Sequence, residues 1–210
     1  MKKSKIAIID TGSANLHSVL KACKRVGTNV SITSNKKDLY KSDGIIFPGV
    51  GSSDAVMNYV EKNNLINTIT TLMDKGHAFL NICLGMQVLF NSSEEGNKKG
   101  LGFIDGEVKK FQRDNKNINL KIPHMGWNTV NFKSTHTIFN GVPNKSNFYF
   151  VHSYYCKPKE NKYFLGETNY GISFCSVSVK KNVIATQFHP EKSGDLGLEI
   201  YDNFTKKVSG

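Results

Sequence analysis

The sequence predicts an α/β protein: a mostly parallel central sheet flanked by helices, with an additional antiparallel β region in the second half. Three observations carry this. Through the first half, short apolar runs alternate with stretches of helical spacing, as in a parallel sheet covered on both faces. The second half turns to strand-like segments separated by turn residues. The early strands end in Asp10-Thr11-Gly12, Pro48-Gly49-Val50-Gly51 and Cys83-Leu84-Gly85, and sheets of this kind bind ligands beyond the carboxyl ends of their strands.

The elements follow in order. Residues 5–10 form a near-continuous apolar run, suited to a buried parallel strand. Over residues 15–26, Leu16, Val19, Leu20, Cys23 and Val26 recur at helical intervals, and Gly27 ends the helix. Residues 30–33 read as a second strand and 44–47 as a third, stopped by Pro48-Gly49. One long helix is expected over 53–75, closed by Gly76. Residues 78–82 are a fourth strand running into Cys83, and 84–90 return to helical character. Beyond them, 103–108, 128–132, 147–156 and 163–167 are strand-like. Residues 174–179 and 183–188 flank Lys180-Lys181-Asn182 as a hairpin, and 196–208 close as a helix. No repeat or low-complexity linker interrupts the chain, so residues 1–210 are expected to form a single domain.

At 210 residues and 39% apolar content the chain supports one large core. The apolar run after its basic start is too short for a signal-peptide core or a membrane span, so a soluble, cytoplasmic protein with no membrane partner is expected. Cys23, Cys83, Cys156 and Cys175 show no tight spacing and no CxxC pair; free thiols are expected rather than disulfides or structural zinc. His124 and His152 have no second ligand at metal spacing, and neither a metal nor a cofactor is expected. The net charge of +11 raises nucleic-acid binding. The lysines are dispersed in isolated doublets with no basic stripe among aromatics, so no nucleic-acid partner is expected. An acidic partner, an anionic substrate or a Lys- and Asn-rich compositional bias each account for the charge.

Two segments carry chemistry. In Asn81-Ile82-Cys83-Leu84-Gly85-Met86-Gln87 a cysteine sits between a strand and a helix, like a nucleophile elbow. The partial positive charge of a helix amino terminus favours a thiolate. The Leu84 backbone N–H is placed to hold an oxyanion, and Gly85 keeps the turn tight. In isolation such a cysteine is more often a small core residue; its flanking pattern argues otherwise. In Gln187-Phe188-His189-Pro190-Glu191-Lys192, His189 suits a general base and acid, and Glu191 suits the group that fixes its tautomer. Alone, this segment reads equally well as a solvated surface turn. Pro48-Gly49-Val50-Gly51 offers the N–H of Val50 or Gly51 as a second oxyanion donor, though a glycine-rich loop is by itself a weak signal.

In this order, Pro-Gly-Val-Gly, Cys-Leu-Gly-Met-Gln and Phe-His-Pro-Glu-Lys resemble the class-I glutamine amidotransferases, which have a flavodoxin-like fold and a Cys-His-Glu triad. Pro123-His124-Met125-Gly126-Trp127-Asn128, with Tyr149-Phe150-Val151-His152-Ser153-Tyr154, narrows the likeness to glutaminase subunits of imidazole glycerol phosphate synthase. The resemblance runs from Asp10 nearly to the carboxyl terminus. It departs from the family pattern at 10–15 and at Asn81, where glycine is usual.

The resemblance implies that Cys83 attacks the side-chain amide of glutamine to form a thioester, with His189 and Glu191 completing the triad. It implies that Gly51, Gln87, Glu95, His152 and Ser153 hold the glutamine. Asn15, Met125, Trp127, Asn128, Tyr149 and Lys192 resemble positions at the interface with a (β/α)8-barrel cyclase subunit, which receives the ammonia. That partner makes imidazole glycerol phosphate and aminoimidazole carboxamide ribotide in histidine biosynthesis. Two alternatives remain open from the sequence: a paralogous glutaminase supplying ammonia for surface-sugar amination, and an inactive binding subunit that keeps the fold. Trp127 and Tyr149 also read as ordinary core aromatics.

Overall fold

The computed structural model describes residues 4–12, 16–115 and 118–209; the expected interface residue Asn15 lies outside them. The chain runs β1 (Lys5–Ile9), α1 (Leu16–Arg25), β2 (Asn29–Thr33), α2 (Lys36–Lys41), β3 (Gly44–Gly49), α3 (Ser53–Lys62), α4 (Ile66–Asp74), β4 (Ala78–Cys83) and α5 (Leu84–Gln87). It continues with β5 (Ser92–Ser93), β6 (Gly106–Lys110), β7 (Asp114–Asn115), β8 (Ile118–Asn119), β9 (His124–Phe132), β10 (Ser146–His152) and β11 (Tyr154–Pro158). It closes with β12 (Phe164–Tyr170), β13 (Ile172–Lys180), β14 (Val183–Thr186) and α6 (Gly194–Ser209).

The main sheet has the order β10-β9-β12-β13-β14-β4-β3-β1-β2. From β2 to β14 every pairing is parallel. The β13–β14 hairpin then reverses direction, and β12, β9 and β10 extend the sheet antiparallel. Alternation along each strand divides the core. Ile6, Ile8, Leu80 and Ile82 pack with Val19 and Cys23 of α1 and with Ile200, Tyr201 and Phe204 of α6. Ala7, Ile9, Ile45, Phe47 and Phe79 pack on the opposite face with Val56 and Val60 of α3 and Ile69 and Leu72 of α4.

Several elements differ from the sequence reading, each for a physical reason. The long helix expected over 53–75 is two helices. Asn64 turns to φ +55°, and the amides of Asn64 and Leu65 reach back to the carbonyls of Glu61 (2.9 Å) and Val60 (2.8 Å). That is a Schellman closure with asparagine in the left-handed position. The helix expected over 84–90 stops after Gln87, because the amides of Leu101, Gly102 and Ile104 take the carbonyls of Val88, Phe90 and Leu89. Pro48 and Gly49 continue β3 rather than ending it, in register with Ile82 and Cys83. Beyond Ile46, β3 pairs with β4 alone. A residue there whose N–H would face the unpaired side loses nothing by being proline. The strand expected over 147–156 breaks at Ser153, so that β10 pairs with β9 while β11 pairs with β6 and β13. Helix α2 was not foreseen; its six residues are too few to show a period, although Asn35 caps it by accepting from the Lys37 amide.

A buried histidine pair braces the antiparallel half. His124 and His152 are register partners on β9 and β10, with His124 Nδ1 2.9 Å from His152 Nε2. His152 Nδ1 lies 2.7 Å from the Tyr154 carbonyl, which can only accept. His152 Nδ1 therefore carries the proton, its Nε2 accepts from His124 Nδ1–H, and His124 Nε2 accepts from Asn128 Nδ2 at 3.1 Å. Tyr170 and Phe150 stack on either side of this chain, at 4.0 and 4.8 Å from the His124 ring. Burial lowers His124 to about 4. His152 falls to about 3 through burial, with His124 and His189 adding to the effect against the Tyr154 hydrogen bond.

Two expectations follow from this packing. A Cβ on Gly85 would stand 1.9 Å from the Phe47 carbonyl oxygen; Gly85→Ala should cost roughly 3 kcal/mol or prevent accumulation, read as the midpoint of thermal or urea unfolding. The histidine pair binds protons in the unfolded chain below its ordinary value but not in the native one. Stability should be full above about pH 6.5 and fall as pH drops toward 4 and then 3, by on the order of 3 kcal/mol per histidine. A urea-melt series over this range should show a shallower slope for His124→Asn than for wild type.

Candidate active site

Cys83 stands at the junction of β4 and α5 with φ +53° and ψ −106°. That conformation costs an L-residue on the order of 1–3 kcal/mol. It turns the chain sharply, so that α5 begins against the end of β3. Gly85 abuts the Phe47 carbonyl there, which leaves no room for a side chain. Asn81, two residues upstream, is buried in β4 and donates from Nδ2 to the Ile184 carbonyl at 3.2 Å.

His189 and Glu191 come from the segment after β14, which Pro190 turns into a short 3-10 helix, Pro190–Lys192. His189 Nδ1 and Glu191 Oε1 are 2.7 Å apart, and both side chains are almost fully buried. Burial alone would lower the imidazole. The negative charge and hydrogen bonding of Cys83, reinforced by Glu191, outweigh it and raise His189 to about 10. The backbone is pinned as well: the His189 amide donates to the Tyr149 carbonyl (2.9 Å), and the Ser193 hydroxyl donates to the His189 carbonyl (2.7 Å). The Tyr149 amide donates in turn to Ser193 Oγ at 3.0 Å.

A cavity of about 340 Å³ opens over the cysteine. Cys83, His189, Val50, Gly51, Leu84, Gln87, Glu95, His152, Ser153 and Lys192 all line it. Glu191 does not; it lies behind His189, and its Oε2 is buried without a hydrogen-bond partner among the described residues. Gly51 sits at φ +97° in the loop facing the cysteine, a conformation that favours glycine. Glu95 is held by the Ser53 amide at the start of α3 (2.6 Å). Its loop is stapled down by Asp54, whose carboxylate accepts from the amides of Asn97 and Lys98. Burial raises the Glu95 carboxyl, against the Ser53 hydrogen bond.

The residues expected at a protein interface lie beside the cavity. Met125 and Trp127 are 61% and 59% exposed, the most exposed large apolar side chains among the described residues. Trp127 meets Tyr149 edge to face at 6.2 Å between ring centroids, and Lys192 Nζ lies 5.8 Å from the centre of the Tyr149 ring. Trp127 is thus a surface aromatic rather than a core one, and Tyr149 is half-buried beneath its edge. Asn128 is half-buried and turns inward, giving its amide protons to His124 and to the Asn169 carbonyl.

One contact to the cysteine went unread in the sequence. Gln187 is fully buried, and its Nε2 lies 3.6 Å from Cys83 Sγ. Its Oε1 accepts from Gln87 Nε2 at 3.2 Å, while that same nitrogen donates to the Tyr154 carbonyl at 3.0 Å. The available signal was the spacing of two to His189, which puts both side chains on one face of an extended segment.

Among the described residues no group of three or more His, Cys, Asp or Glu side chains is arranged to hold a metal. None of their helices is long and apolar enough to cross a membrane.

Known proteins resemble this chain in sequence or in fold. Residues 7–208 match the family of class-I glutamine amidotransferases. The imidazole glycerol phosphate synthase subunit HisH of Dehalococcoides mccartyi strain CBDB1 is 42% identical over 206 residues, covering 98% of each chain. The subunit of the same name from Buchnera aphidicola subsp. Acyrthosiphon pisum is 44% identical over 200 residues, covering 95% of this chain and 97% of its own. The structure of PurLQS from Thermotoga maritima superposes with a TM-score of 0.76 at 16% identity, covering 99% of this chain and 100% of that one. A glutamine amidotransferase from the same organism gives 0.66 at 12% identity, covering 100% and 85%; these two likenesses speak to the fold. The chain belongs to the class-I glutamine amidotransferase family, in the branch of the HisH subunits.

Proposed function

We propose that this chain is the glutaminase subunit of an imidazole glycerol phosphate synthase, working as one amidotransferase domain. The observation that carries the reading is the buried His189–Glu191 pair set against a cysteine on a strained elbow, at the floor of a cavity of amino-acid size. Identity of 42–44% to HisH subunits over nearly the whole chain supports the choice of client.

The chemistry follows from the placement. Cys83 Sγ bonds to the side-chain amide carbon of glutamine, and the carbonyl oxygen takes the negative charge. The Leu84 amide, with that of Val50 or Gly51 across the cavity, stabilises this oxyanion. His189 delivers the proton it took from the thiol as the C–N bond breaks, and ammonia leaves. Water, activated by the same imidazole, then cleaves the thioester to glutamate and restores the thiol. Glu191 holds the His189 tautomer and supports the imidazolium. Gly51, Glu95, His152 and Ser153 hold the substrate. Both Nε2 protons of Gln87 are engaged within the protein, so Gln87 offers glutamine an acceptor, Oε1.

The exposed Met125 and Trp127, with Tyr149 and Lys192, form the docking face for a (β/α)8-barrel cyclase that consumes the ammonia in histidine biosynthesis. Lys192 reaches both this face and the cavity, which suits a surface where docking and glutamine chemistry communicate.

Glutamate release from glutamine is the direct test, measured for the chain alone and with the cyclase and its ribulosyl nucleotide ligand. Strong stimulation in the complex is expected; no release under either condition would overturn the reading. Cys83→Ala should abolish glutamine-dependent synthesis and leave ammonia-dependent synthesis by the cyclase intact. Trp127→Ala should weaken docking or stimulation about tenfold while sparing the glutamine chemistry that the chain performs alone. Unchanged coupling would remove Trp127 from the interface.

A further inference from the structure

The contact between Gln187 and the cysteine calls for a role. A buried primary amide is costly unless both its ends are satisfied, and here each end has a defined partner. The orientation of a side-chain amide follows from its hydrogen bonds, and this one traces back to a group of fixed polarity. The Tyr154 carbonyl can only accept, so the nitrogen end of Gln87 must face it. The second proton of that nitrogen goes to Gln187 Oε1, which also receives the Cys156 thiol at 3.9 Å. With two donors on its oxygen, Gln187 can present only N–H to Cys83 Sγ. The flipped amide would set nitrogen against nitrogen at Gln87 and oxygen against the sulfur.

An N–H aimed at sulfur favours the thiolate over the thiol. The opposing group is the Val151 carbonyl, 4.0 Å from Sγ, which favours the S–H form. The amide is the nearer of the two and sits in a fully buried site, where such a dipole is weakly screened.

We propose that Gln187 is a further catalytic residue, whose amide stabilises negative charge on the Cys83 sulfur. It acts twice in the cycle: before attack, when it raises the thiolate fraction, and when the C–S bond of the thioester breaks and the electron pair returns to sulfur. Gln87 is its positioning residue, through the chain that starts at the Tyr154 carbonyl. The proposal rests on the reading of Cys83 as the nucleophile, and its test is separable from that reading because alkylation needs neither glutamine nor a partner.

The experiment is the rate of Cys83 alkylation by iodoacetamide against pH, in wild type and in Gln187→Met, a swap of similar volume without the N–H. Peptide mapping separates Cys83, which lines the cavity, from the buried Cys23, Cys156 and Cys175. The expected result is alkylation about tenfold slower at pH 7 in the variant, converging with wild type at pH 10. In the complex with the cyclase, kcat for glutamine should fall by a similar factor with KM little changed. Superimposable alkylation profiles in a folded variant, or a raised KM at constant kcat, would overturn the proposal. If Gln187→Met does not accumulate, Gln87→Met tests the same chain from its anchor: slower alkylation at pH 7 is expected, and an unshifted profile overturns it. Failure of glutamine turnover in wild type with a shifted alkylation profile would reject the glutaminase reading and leave this one standing.

Discussion

The left-handed backbone of Cys83 is the constraint on which the site depends. A residue at φ +53° between a strand and a helix persists only where its surroundings over-determine it. Here they do. β3 pairs with β4 as far as Gly49 opposite Cys83. The first turn of α5 is pressed on the Phe47 carbonyl through Gly85. The returning segment at 101–104 takes the carbonyls that would have prolonged α5. The sulfur is thereby held at the end of the sheet, against an imidazole carried by the segment that follows the neighbouring β14.

The antiparallel half supplies the walls of the site and fixes their polarity. Both donors to the Tyr154 carbonyl, His152 Nδ1 and Gln87 Nε2, begin hydrogen-bond chains of set direction. One runs through His124 to Asn128, on the strand that also carries the exposed Met125 and Trp127. The other runs through Gln187 to the cysteine. Buried polar networks of this kind are favourable only when every member is satisfied. The neutral state of both histidines, with their values lowered by burial, keeps the first chain intact at ordinary pH.

Much of the fold was legible in the sequence because its strands are short, apolar and punctuated. The helices on both faces, the β13–β14 hairpin and the closing helix appear near their expected places. The differences have two kinds of cause, a local helix stop and changes of hydrogen-bond partner made by distant segments. Within residues 53–75 the apolar spacing lapses over Glu61-Lys62-Asn63-Asn64, and Asn64 in a left-handed conformation closes α3 there. The division of 147–156 at Ser153 reflects a change of strand partners, which local pattern does not report. For the site, Cys83, His189 and the residues expected at the oxyanion and the glutamine line one cavity while Glu191 does not; strand-end loops gather at one edge of such a sheet. Glu191 stands behind His189, as a group acting through the imidazole would. Gln187 escaped notice because a buried glutamine carries no period and no motif chemistry of its own; only its neighbours give it meaning. Asn128, which the resemblance places among the interface residues, is half-buried and spends its amide protons on His124 and the Asn169 carbonyl.

The lacing of residues 189–193 onto Tyr149 has a consequence outside catalysis. β10 ends the order of the main sheet, and a terminal strand with free N–H and C=O groups is a template for pairing with another chain. Tyr149 shows that side of β10 to the segment bearing His189, which takes both its amide and its carbonyl. The stretch that carries the imidazole therefore also shields the sheet from aggregation. Substitutions that loosen it should lose solubility along with chemistry, because the same few residues cover the sheet edge and carry the imidazole.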